Sequence, residues 1–329
     1  MITHLQKWSL LALLAAGSLS AQEWKPSDWP VLKHYDKEHL FQIALPLGGI
    51  GTGTVSLGGR GELRDWEIMN VPGKKYSTVT TGNNAPFFSI YVKSQDNIPV
   101  TTLLEGPLYS HEYLHYEGRP VNHHGFPRFA EASFDGAYPF GQVNLSDAEL
   151  PVTVKIKGFN PLLPGNADDS GLPVAVLAYE VTNTGDSPLE VSGSMRNFIG
   201  KDGSKFRTDW KGDYIPVGAE KNRNEYRESG NRKGIYLYSE GVDKQDPAWG
   251  TIALVTSSTG QVSYRTSSKA DSWNNAILNF WDDFSEDGVM VEREQPSDED
   301  PMASLAVKKT IAPQATEIFV FYLTWNFPN

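Results

Sequence analysis

Residues 45–70 read LPLGGIGTGTVSLGGRGELRDWEIMN, with seven glycines in the fourteen residues Gly48 to Gly61. Such a density invites a phosphate-loop reading, and the spacing excludes it. A dinucleotide fingerprint begun at Gly49 needs its third glycine where Thr54 stands, and begun at Gly51 it needs one at Ser56. A Walker loop begun at Gly48 finds Gly53, then Thr54 in place of lysine. Thr54-Val-Ser-Leu57 favours a strand, so no helix N-terminus is offered to a phosphate. The pattern predicts a tight loop and then a hairpin. Thr54 to Leu57 runs out, Gly58-Gly59-Arg60-Gly61 turns, and Glu62 to Met69 returns with Trp66 and Ile68 on one face. Gly48, Gly49, Gly51 and Gly53 would let the main chain approach another surface that a Cβ would hold off.

The same grammar continues outward. Thirty glycines and 21 prolines punctuate the chain throughout, and short β-prone runs lie between them. Val152, Val154 and Ile156 alternate and share one strand face. Val174 to Val181 is apolar on both faces and reads as a strand buried on both sides. No long 3.6-residue periodicity and no internal repeat is evident. The expected fold is all-β, a large antiparallel, supersandwich-like β-sandwich with few short helices. Gly200 to Gly234 carries nine basic and six acidic side chains and reads as a long polar loop, either a lid or a solvated insertion.

Residues 1–21 read as a secretory leader. Lys7 gives a basic start, Trp8 to Ala16 an apolar run, and Gly17-Ser-Leu-Ser-Ala21 a small-residue exit. Export to the periplasm or the extracellular space is expected, with residues 22–329 forming one sandwich domain. The formal net charge is −11, which repels nucleic-acid backbones. There is no cysteine, which excludes disulfides, thiolate nucleophiles and cysteine metal sites.

The glycine-rich stretch, extended to Lys74, resembles the start of the N-terminal domain in glycoside hydrolase family 116, the family of non-lysosomal glucosylceramidases and bacterial β-glucosidases. Further matching segments follow in order: Ala85-Pro-Phe-Phe88, Leu104-Glu-Gly-Pro107, Gly125-Phe-Pro-Arg128, Tyr138-Pro-Phe-Gly141, Asp169-Ser-Gly-Leu-Pro-Val174, Tyr179 to Thr184, Arg196 to Gly200 and Leu323-Thr-Trp-Asn-Phe-Pro328. The resemblance implies a β-sandwich packed on a C-terminal helical barrel that carries both catalytic carboxyl groups, which retaining chemistry holds about 5–5.5 Å apart. The sequence closes at Asn329, where such a sandwich hands over to its linker. The expectation is therefore a non-catalytic domain with a helical barrel as partner in cis or in trans, a β-glucoside or glycolipid sugar as ligand, and no cofactor. Arg60, Arg64, Asp65, Trp66 and Asn70, with the four loop glycines, are the candidates for bracing that partner and its sugar pocket.

Other chemistry competes with this reading. Glu62 and Asp65 would take opposite strand faces, whereas Asp65 and Glu67 would share one about 7 Å apart, a spacing that any solvated strand also shows. His111-Glu-Tyr-Leu-His115 matches H-E-x-x-H, in which His111 and His115 would hold zinc and Glu112 would polarise its water. Pro107 and Pro120 leave room for only a short helix there. Asp283, Asp287, Gly288 and Glu294 fall at positions 1, 5, 6 and 12 of a calcium loop, but Ser285 and Val291 depart from it. Phe284 to Val289 reads instead as a hairpin turn with Asp287-Gly288 at the tip. Among the aromatics, Trp66, Trp210, Trp249, Trp273 and Trp281 are candidates to stack on sugar rings. A free-standing carbohydrate-binding module and a zinc peptidase are the alternative functions.

Overall fold

The computed structural model describes residues 32–68, 71–73, 86–94, 97–112, 123–196, 206–208, 214–216, 221–246, 249–267, 275–292 and 301–329. The strands among them are numbered in chain order. The glycine-rich segment opens a four-stranded sheet of β2 (Ala44–Leu47), β3 (Thr54–Gly58), β4 (Leu63–Ile68) and β5 (Val71–Gly73). β3 and β4 form the expected hairpin, closed at the turn by Gly61 N–H donating to the Gly58 carbonyl at 3.1 Å. Gly61 sits at φ +106°, a backbone region closed to most side chains.

A nine-stranded antiparallel sheet runs from edge to edge through β1 (Lys33–Tyr35), β8 (Glu131–Ala137), β9 (Phe140–Ser146), β10 (Val152–Phe159), β11 (Val174–Asn183), β20 (Thr316–Asn326), β17 (Thr251–Thr256), β16 (Arg232–Ser239) and β15 (Asn222–Ser229). A five-stranded sheet orders β18 (Gln261–Arg265), β19 (Ser304–Ile311), β12 (Leu189–Arg196), β6 (Phe87–Lys93) and β7 (Val100–Leu103). A short pair, β13 (Phe206–Thr208) with β14 (Tyr214–Pro216), completes the set. The chain is an all-β sandwich. Its main core fills with inward residues of the large sheets and of β2–β4, and Phe88 bridges the two large sheets through ring contacts with Tyr179 (4.8 Å) and Phe321 (5.2 Å).

Several readings change. The strand buried on both faces is β6. Phe88, Ile90 and Val92 enter the main core, while Phe87 and Tyr91 enter a second core on the opposite side. β11 instead alternates, with Ala175, Leu177, Tyr179 and Val181 buried and the residues between them only half covered. On that outer face Glu180 accepts from Lys157 at 2.6 Å.

The second core exists because of a helix that the sequence reading lacked. α2 (Asn275–Asp287) places Ile277, Phe280, Trp281 and Phe284 at helical spacing against Phe87, Tyr91, Leu103 and Ala306. The predicted hairpin turn at Phe284–Val289 is therefore the C-terminus of that helix. Gly288, at φ +73°, closes it by donating to the Phe284 carbonyl at 2.9 Å. The polar stretch 200–234 is likewise no uniform loop, since it contains β13, β14, the edge strand β15 and the start of β16.

Candidate functional site

The glycine loop joins β2 to β3 and is held by the molecule's own interior. Asn160 Nδ2 donates to the Gly48 carbonyl at 2.5 Å, Ile50 N–H to the Ser170 carbonyl at 2.7 Å, and Trp325 Nε1 to the Thr52 carbonyl at 2.6 Å. A Cβ on Gly48 would lie 2.6 Å from the Trp325 ring, and one on Gly49 would lie 2.3 Å from the Gly171 carbonyl carbon. These glycines permit a close approach, as expected, but the surface approached belongs to this chain. Gly48 and Gly49 are buried, Gly53 is half-buried, and only the tip Ile50-Gly51-Thr52 is exposed.

The facing loop is organised by a single helical turn, α1 (Ala167–Ser170), which Asn166 caps by accepting from Asp169 N–H. Ser170 Oγ ties that turn back to Leu163, accepting from its N–H and donating to its carbonyl. The two loops together carry three exposed aliphatic side chains: Ile50 at 53%, Leu163 at 51% and Leu172 at 49%.

Beneath the hairpin turn lies a network of buried charge. Arg60 Nη1 donates to both carboxylate oxygens of Glu112 at 2.7 Å, and Tyr109 N–H donates to the same carboxylate at 2.9 Å. Arg60 Nε stands 3.8 Å from Glu62 and 3.9 Å from Glu105. Arg128 Nε donates to Glu105 at 3.0 Å, and Arg64 Nη1 stands 3.7 Å from Glu62. Three arginines thus face three glutamates, an arrangement that burial tolerates because the charges cancel within contact distance. Burial alone would lower the Arg60 guanidinium, but Glu62, Glu105 and Glu112 outweigh it and hold Arg60 above its ordinary value. Glu62 is pushed up, since burial outweighs the attraction of Arg60.

The candidate residues are distributed accordingly. Arg60 is buried and turned inward onto Glu112. Arg64 bonds the Phe41 carbonyl at 2.8 Å and Asp65 at 3.1 Å. Trp66 is half-buried against the main core, and Asn70 lies outside the described residues. Asp65 and Glu67 do not share a face by simple alternation. Ser56 pairs with Arg64 and Thr54 with Glu67, so Asp65 and Trp66 together oppose Val55 in a β-bulge, with Asp65 at φ +51°. That one extra residue lets Leu63 and Ile68, an odd number apart, both bury.

The metal readings meet the same difficulty, because their ligands have other work. Glu112, the zinc reading's base, is clamped by Arg60, and His111 sits in a 3₁₀ turn (Ser110–Glu112), stacked on Tyr109. His115 lies outside the described residues. Asp283 ion-pairs at 2.5 Å with Arg265, a fully buried residue that also donates to the carbonyls of Val291 and Asn279. Asp287 Oδ1 accepts from Val289 N–H, and Glu294 lies outside the described residues. Of the candidate stacking tryptophans, Trp281 packs on Phe126 at 4.7 Å, Trp249 lines an open groove, and Trp210 and Trp273 are outside the described residues.

Glu105, Glu112, Arg128, Asn160, Ser170 and Trp325 were not among the sequence candidates for this site. Their signal was present only as fragments. Glu105, Arg128, Ser170 and Trp325 each sit in a separate matching segment, and only the fold brings those segments together on the glycine hairpin.

Solved structures with a likeness to this chain include the following two. A polysaccharide lyase covers 85% of this chain and 33% of its own, at 10% identity and a TM-score of 0.40. A protein described as "Putative kojibiose phosphorylase from human microbiome" covers 90% of this chain and 26% of its own, at 8% identity and a TM-score of 0.32. The chain therefore spans about a third and about a quarter of those proteins. Residues 44–329 match the family model described as beta-glucosidase 2, glycosyl-hydrolase family 116 N-term. That match begins at β2, directly before the glycine loop, and the chain belongs to the N-terminal domain family of glycosyl hydrolase family 116.

Proposed function

We propose that this chain is the non-catalytic N-terminal domain of a β-glucosidase or glucosylceramidase-like glycoside hydrolase, and that its glycine-loop end braces a helical catalytic barrel supplied in cis or as a separate chain. The observation that carries the reading is the exposed tip at Ile50, flanked by Leu163 and Leu172 on loops otherwise locked by hydrogen bonds. A fixed frame presenting aliphatic side chains suits docking, since little ordering entropy remains to be lost on contact. The glycines and the Arg60 network act one layer further in, as the scaffold that fixes the tip. We further propose that residues 1–21 act as an export leader, which would deliver the domain to the periplasm or beyond. Among the described residues no helix is long and apolar enough to cross a membrane.

The test is complementation. The purified chain should release no p-nitrophenol from an aryl β-glucoside, and adding a family 116 helical-barrel polypeptide should give activity above that of the barrel alone. Hydrolysis by the chain by itself, or a barrel indifferent to its addition, would overturn the proposal.

A further inference from the structure

At the β15 edge of the nine-stranded sheet lies an open groove of about 550 Å³, within the range of about 300–1,000 Å³ that small-molecule sites occupy. Its floor is the outer face of β15 and β16. Asn224, Ile235 and Leu237 point into the molecule, which leaves Glu225, Arg227, Tyr236 and Tyr238 outward. Its wall is the loop leading to β17, with Trp249 half-buried along it. Trp249 N–H donates to the Asp246 carbonyl at 2.8 Å, and Asn329 Nδ2 donates to the carbonyls of Lys244 and Asp246, so the wall is anchored at several points.

The floor is pre-arranged. Arg227 lies over the Tyr236 ring at 3.8 Å and donates twice to one oxygen of Glu225, at 2.6 and 3.0 Å. The other Glu225 oxygen accepts from Tyr238 Oη at 2.8 Å. These two partners, Arg227 foremost, hold the Glu225 carboxyl below its ordinary range and so keep it ionised as an acceptor. The charges lining the groove are two acids, Glu225 and Glu240, and two bases, Arg227 and Lys244. Each acid is held by an arginine, Glu225 by Arg227 and Glu240 by Arg223 at 3.1 Å. The Glu225–Arg227 pair on the floor therefore carries no net charge, and of the lining charges only Lys244 stands outside these two pairs.

From this juxtaposition of aromatic rings with charge-neutral, fixed donors and acceptors, we propose that the Glu225–Tyr236–Tyr238–Trp249 groove is a binding site for neutral, flat-faced pyranosides such as β-linked glucosyl units. Such a ring turns its axial C–H bonds to an aromatic face and its equatorial hydroxyls outward. The weakly positive C–H edge meets the negative face of the indole or phenol. The hydroxyls, each donor and acceptor, satisfy Glu225 and Arg227 at the rim. The site belongs to this chain alone and does not depend on the docking proposal above.

The experiment titrates the full chain, with no barrel present, with cellobiose, and with methyl β-galactoside as a comparator whose axial hydroxyl disturbs the flat face. Calorimetry should show saturable cellobiose binding with millimolar affinity and weaker binding of the galactoside. Trp249→Ala and Glu225→Gln should each weaken cellobiose binding about tenfold, with thermal midpoints unchanged. Hydroxyl-radical footprinting of the wild-type chain should show sugar protection confined to residues 225–251, a readout that holds even if a variant fails to fold. Absence of saturable binding, affinity that both variants leave untouched, or protection elsewhere would overturn the assignment.

Discussion

At the scale of single residues, neighbouring glycines in one loop carry different obligations. A Cβ on Gly49 meets the Gly171 backbone at 2.3 Å, while one on Gly51 meets nothing within 4 Å, although Gly51 sits at φ +79°. Gly51→Ala should therefore cost only the backbone term, about 1–2 kcal/mol. Gly49→Ala should cost more, because the two loops it joins must separate, and urea unfolding of the two variants would order them. Glu62 supplies a pH signature. Its folded carboxyl is raised above the ordinary glutamate value of about 4.3, so between those two values the folded state holds more protons than the unfolded one. Stability must then fall as pH rises through that window and stay reduced above it. Glu62→Gln should remove this part of the slope. Urea midpoints from pH 4 to 8 that run parallel in the two proteins would contradict the prediction.

At the scale of elements, α2 is the informative case. Asp282, Glu286 and Asp287 are exposed, Leu278 is 55% exposed, and Phe280 and Phe284 are fully buried against β6. Phe284→Ala should destabilise by about 3–5 kcal/mol through lost burial and a cavity. Leu278→Ala should stay within about 0.5 kcal/mol, and denaturant midpoints of the pair would separate core from surface. Arg265 reinforces the same element. It joins the end of β18 to the Asp283 carboxylate on α2 and to the carbonyl of Val291 just beyond it.

At the scale of the whole molecule, the sandwich completes its core internally and still leaves aliphatic side chains at the glycine-loop end. Ile50→Asp and Leu172→Asp place charge on exposed positions, so each should shift folding stability by no more than about 0.5 kcal/mol. Each should nonetheless reduce complementation by a helical barrel, because a desolvated unpaired carboxylate is costly in a contact. Full complementation by both variants would move the docking face elsewhere. The groove on β15 and β16 lies on the outer face of the large sheet, so its sugar binding and this docking contact can be tested separately.

Sequence alone determined what local chemistry dictates. Alternating Val152, Val154 and Ile156, the glycine turn before β4 and the breaker-rich punctuation specified strands, a hairpin and an all-β sandwich, because side-chain period and backbone freedom are properties of neighbours along the chain. The helix at Asn275–Asp287 escaped that reading, because the apolar spacing of Ile277, Phe280, Trp281 and Phe284 is short and its acidic end imitated a turn. Tertiary structure decided which face of β6 met which core, where the bulge at Asp65 reset the register, and that Arg60 would be enclosed by Glu62, Glu105 and Glu112. Those outcomes depend on segments tens of residues apart meeting in space, where burial and charge pairing are settled by whichever neighbours arrive, and no spacing along the chain encodes that meeting.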